Sequence, residues 1–84
     1  MTDEIKKAIN KAIQIYIEND YNYIVSLAKA GKELPESITD EEQVEFLKRN
    51  SIVPEDMPEE DIQKVASIVS KKINEINIRI YKRI

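Results

Sequence analysis

With 84 residues, no cysteine, no histidine and one glycine, the chain makes a single domain, 1–84, near the lower limit for independent folding. It has neither a disulfide framework, nor a thiolate metal site, nor a phosphate-cradling loop. The usual general bases and thiol nucleophiles are absent, which argues against an enzyme, and 42% hydrophobic with 35% charged residues argues for a folded rather than a disordered chain. The formal charge of −3 is unevenly spread: residues 1–31 balance four acids with four bases, residues 32–61 carry eleven acids and three bases, and residues 62–84 carry one acid and six bases.

Three times, acids open an apolar-periodic segment and bases close it, as a helix complements the two ends of its own dipole. The expected fold is therefore all-α: a small bundle of three helices, two long antiparallel ones over about 3–30 and 58–83, joined through a short one over about 39–50.

In the first segment, Ile5, Ile9, Ala12, Ile13, Tyr16, Tyr23, Ile24 and Leu27 share one face at about 100° per residue. Thr2 or Asp3 can cap its start, and Gly31 stands where a left-handed residue ends a helix. Asp20 interrupts the stripe. In a continuous helix it becomes a buried polar group with Tyr16 and Tyr23 as neighbours, needing a donor because an unpaired buried charge costs several kcal/mol. If the helix breaks or kinks near Asn19-Asp20, Asp20 is instead an N-cap. The unbroken phase of the stripe favours continuity.

From Gly31 to Ile38 the chain reads as a loop. Thr39 and Glu42 have the spacing of a capping box, after which Val44 and Leu47 give a short helix its apolar pair. A second loop runs from Ser51 to Met57, with Ile52 and Val53 tucked onto the core, and Asp56 and Glu59 are spaced as another capping box. The acids Glu55, Asp56, Glu59, Glu60 and Asp61 lack the alternation and the glycine of a calcium loop, and the chain has no Glu-x-x-His pair for a di-iron site. No metal, cofactor or catalytic residue is expected.

The last segment has three faces. Ile62, Val65, Ala66, Val69, Ile73, Ile76, Ile80 and Ile84 form a core stripe. Lys64, Lys71, Lys72, Arg79, Lys82 and Arg83 form a basic face with Glu75, which is placed to pair with Arg79 at i,i+4. Gln63, Ser67, Ser70, Asn74, Asn77 and Tyr81 form a polar, uncharged one. Ile68 and Ile78 fall on or beside the basic side, where they are expected to be exposed.

A helix of about 26 residues is about 39 Å long, whereas a globule of this size is about 30 Å across. Apolar surface is left over, and such surface marks an interface. The expected function is a non-catalytic protein–protein interaction module, an adaptor, subunit or inhibitor, acting through helix faces with a protein partner or as a homodimer. Its expected contacts are Ile68, Ile78, Lys71, Lys72, Arg79, Lys82 and Arg83.

Two alternatives stand beside it. One is a DNA-binding or DNA-associated dimer using the basic end of the last helix, cations on phosphates and amides on base edges. The other is a sequence made or selected only to fold. No small-molecule substrate is inferred. Charged residues near the N-terminus and short apolar runs argue against a leader or a membrane helix, so a soluble, cytoplasmic protein is expected.

Overall fold

The structure, a computed structural model, describes residues 2–84. It is 73% helical and its described residues include no strand. Four helices follow one another: α1 (Asp3–Asn19), α2 (Tyr21–Lys29), α3 (Asp40–Arg49) and α4 (Glu59–Arg83). None is long and apolar enough to cross a membrane. The all-α class expected from the periodicity holds, but the first long helix is two helices.

The break lies at Asp20, with φ −117° and ψ −21°. Asn19 turns its side-chain amide back to the Ile15 carbonyl at 3.0 Å, the local competition with the backbone that makes Asn and Asp poor helix formers. Amide bonds still bridge the joint, from Asp20 N to Tyr16 O at 2.8 Å and from Ile24 N to Asp20 O at 3.1 Å. The joint is thus a kink, and the expected continuity is corrected. Asp20 ends α1 and precedes α2 without making a side-chain cap.

Local signals fix most of the other ends. Thr2 Oγ1 accepts from Ile5 N at 3.3 Å. Thr39 and Glu42 close their capping box, with Glu42 N donating to Thr39 Oγ1 at 3.1 Å and Thr39 N donating to Glu42 Oε1 at 3.0 Å. The second box expected at Asp56 and Glu59 does not form. Pro58 itself is the N-cap of α4, and its carbonyl accepts from Asp61 N and Ile62 N.

After α2, Gly31 takes φ 72°. Lys32 N reaches Leu27 O at 3.0 Å and Gly31 N reaches Ala28 O at 3.1 Å, the paired bonds of a Schellman cap. The same cap recurs after α3. There Ile52 N meets Leu47 O, Ser51 N meets Lys48 O, and Ser51 holds φ 54°.

The direction of the helices differs from expectation. Thr2 and Ile5 at the start of α1 border the same shallow depression as Asp61 and Lys64 at the start of α4, and Tyr16 is hydrogen-bonded to Asn77. Helices α1 and α4 are therefore parallel, which corrects the antiparallel pairing. The reason is a count of traverses. Residues 30–39 have no regular structure, yet Ser37 already meets Asn74, and α3 continues the descent with Gln43 at Ser70 and Lys48 at Glu59. Loop and α3 together make one downward pass, so the first and last passes run the same way.

The main core joins Ile5, Ala8, Ile9 and Ala12 of α1 to Leu47 of α3 and to Ile62, Val65, Ala66 and Val69 of α4. Ile52, Val53 and Met57 of the second loop close it. A smaller cluster of Tyr16, Ile24 and Ile80 continues it beyond the kink. The molecule measures 43 × 21 × 19 Å, so it is rod-like because α4, about 37 Å long, sets its length.

Candidate functional site: an apolar groove with an acidic lip

A ten-residue α3 covers about 15 Å of the length of α4. Beyond it, the return path is the open segment before Asp40, which lacks the girth of a helix. A cavity of about 290 Å³ results, bounded by the kink, by residues 35–38, by α3 and by α4. Ala12, Ile24, Phe46 and Ile73 supply apolar walls. Two large apolar side chains on its edge remain in solvent: Tyr23 is 59% exposed and Ile38 46%.

Tyr16, Ser37, Gln43, Ser70 and Asn77 bring polar groups to the same space. On α4, Ser70, Asn74 and Asn77 recur at spacings of four and three, one helical row. Each is matched from another element. Gln43 Nε2 donates to Ser70 Oγ at 3.4 Å, Ser37 Oγ donates to Asn74 Oδ1 at 3.3 Å, and the Tyr16 hydroxyl donates to Asn77 Oδ1. Among the described residues Gln43 is the one buried amide or charged side chain. From Ser70 to Asn77 the uncharged face of α4 is thus hydrogen-bonded to other elements, although Asn74 stays exposed, as do Gln63 and Ser67 nearer the start of the helix. Tyr81, further along α4, has its hydroxyl enclosed with no partner among the described residues.

The three residues expected to form a buried polar group part company. Tyr16 is buried at 9% exposure. Burial pushes its phenol above the ordinary value, and the nearby Asp20 carboxylate adds to the rise. Asp20 and Tyr23 are exposed, which corrects their expected burial. The first helix ends at Asp20, and in α2 it is Ile24, not Tyr23, that the core buries, while Asp20 is among the residues lining the groove. There Asp20 and Glu36 are the two charged residues among those that line it. Neither makes a hydrogen bond or ion pair through its side chain among the described residues.

The expected contact residues of α4 lie elsewhere. Lys71, Lys72, Arg79, Lys82 and Arg83 are exposed, and Ile78 is 39% exposed. Ile68 is half-buried, packed against the main core rather than presented to solvent, which corrects its expected exposure. The Glu75–Arg79 pair is not made; the ion pair among the described residues is Lys48–Glu59 at 3.1 Å, exposed on both sides. Among those residues no three His, Cys, Asp or Glu side chains converge as metal ligands would.

Sequence reasoning missed the groove because its walls come from four separated stretches. The one local signal was the odd carboxylate, Asp20, which does stand at its edge. Comparison with protein-family models, with curated proteins and with solved structures gives no match.

Proposed function

We propose that the chain is a non-catalytic protein–protein interaction module whose contact surface is the groove beside the α1–α2 kink. The observation that carries this reading is the pairing of an apolar recess with two large exposed side chains, Tyr23 and Ile38, on its border. Apolar concavities with a few oriented polar groups are where partners gain binding energy, and aromatic side chains at such borders serve as anchors.

Selection of displayed random peptides against the purified chain tests this. Synthetic versions of the enriched peptides are expected to bind, and an Ile38→Asp variant of unchanged circular dichroism is expected to lose them. Peptides that bind the variant equally would move the contact away from the groove, and no enrichment at all would remove the reading.

A second reading has one observation in its favour. Lys71, Lys72, Arg79, Lys82 and Arg83 are exposed cations without an acidic partner among the described residues, as phosphate contacts would be. Against it, Asn74 and Asn77 already accept hydrogen bonds within the fold. Binding of a fluorescent duplex at low salt, lost in the Arg79, Lys82, Arg83 triple alanine variant, is the outcome this second reading requires.

A further inference from the structure

Resting on the groove as the contact surface, we infer that its occupant is a helical segment of a partner protein in which a bulky apolar side chain is followed or preceded, within one turn, by lysine or arginine. The recess of about 290 Å³ is at the floor of the range for ligand cavities, about 300 Å³. It suits the side chains of one short segment rather than a large ligand. Its lining includes two carboxylates, Asp20 and Glu36, and no cation.

Both carboxylates are uncommitted. Asp20 makes no cap to α2, and neither it nor Glu36 takes part in an ion pair among the described residues. An anion with no internal partner, beside an apolar surface that excludes water, attracts a cation more strongly than one in open solvent. The two acids reach the recess from separate stretches of the chain, one at the kink and one in the 35–38 segment. A segment seated in the recess meets two carboxylates and no cation among the lining residues. A neutral or acidic segment of equal apolar content would fill the recess but leave both carboxylates unpaired or opposed.

Three fluorescein-labelled helical peptides test this, identical in a row of leucines and differing only in whether the flanking positions are Lys, Gln or Glu. Fluorescence anisotropy is expected to rank them Lys, Gln, Glu. The Lys peptide should bind roughly tenfold more tightly than the Gln peptide at low salt and lose that margin at high salt, as exposed charges are screened. An Asp20→Asn, Glu36→Gln double variant should erase the margin. A Glu4→Gln, Glu55→Gln double variant, with the same net charge but acids that do not line the groove, should keep it. Equal loss in both doubles would reduce the effect to overall charge and overturn the inference. If the peptides bind in a manner that Ile38→Asp abolishes, but without preference for Lys, the cation falls while the groove stands as a contact surface. If none binds there, both fall. A concentration-dependent dimer abolished by Ile38→Asp would assign the groove to a second copy of the chain and likewise overturn a separate partner.

Discussion

Two tyrosines in one cluster show how much a single hydroxyl's surroundings decide. Tyr16 and Tyr81 both pack around Ile24 and Ile80, but the Tyr16 hydroxyl has Asn77 while the Tyr81 hydroxyl is enclosed without a partner among the described residues. Removing a satisfied hydroxyl costs about 1 kcal/mol, whereas removing an unsatisfied buried one relieves a desolvation cost of similar size. Tyr16→Phe is therefore expected to destabilise the chain and Tyr81→Phe to leave it unchanged or firmer, as read by urea unfolding. The opposite order would mean the polar row on α4 is misassigned.

Tyr16 also carries a pH signature. Its folded pKa is raised by burial first, so its contribution is fully present below the unfolded value of about 10 and is lost as pH rises through the folded one. At this scale the sequence was half legible. The apolar stripe identified Tyr16 as inward-facing, but it could not say that the helix would end at Asp20 or that Asp20 and Tyr23 would be exposed.

The ends of the elements were the most legible features, because caps are written in three or four neighbouring residues. Gly31 and the Thr39–Glu42 box stand as their spacing implied. Ser51 did not announce itself, since serine carries no signature for a left-handed backbone, yet it terminates α3 with the same bonds that Gly31 provides for α2. The two positions invite opposite substitutions. Gly31→Ala places a Cβ that meets nothing within 4 Å, so its cost is the left-handed backbone alone, about 1 kcal/mol. Ser51→Gly releases that strain, less the added freedom of the unfolded chain, for a gain of roughly 0.5 kcal/mol. Denaturant midpoints would show both, and a stabilising Gly31→Ala would contradict the cap.

Glu42 supplies an acid-range counterpart. Its carboxyl is held below the ordinary value chiefly by the Thr39 backbone N–H, then by the Thr39 side chain. A depressed folded pKa confers stability above the unfolded value of about 4.3 that is lost as pH falls through the folded one. Glu42→Gln should flatten the fall in melting temperature on acidification without abolishing it, because ten other acids in the 32–61 segment remain, out of its eleven.

At the scale of the whole molecule, helix class and approximate spans could be read from periodicity, but direction could not. Direction depends on how many times the chain crosses the long axis, and half of the middle crossing, residues 30–39, lacks the periodic pattern that would have disclosed it. The groove follows from that same crossing, since an extended strip covers less of α4 than a helix would. Its position relative to the basic end of α4 therefore rests on α1 and α4 being parallel.

Spin labels decide this without ambiguity in a chain that has no native cysteine. Labels at Thr2→Cys and Lys64→Cys flank one depression and should give a short distance. Moving the second label to Lys82→Cys shifts it eighteen residues along α4, about 27 Å at the helical rise, and the measured separation should lengthen accordingly. An antiparallel pair would reverse the two results, bringing Thr2 to the basic end and taking the α1–α2 kink away from Asn77. With it would go the walls of the groove, because Tyr16 and Ile24 would then lie beside the opening turns of α4, among Glu59, Glu60 and Asp61, rather than beside Ile73 and Asn77.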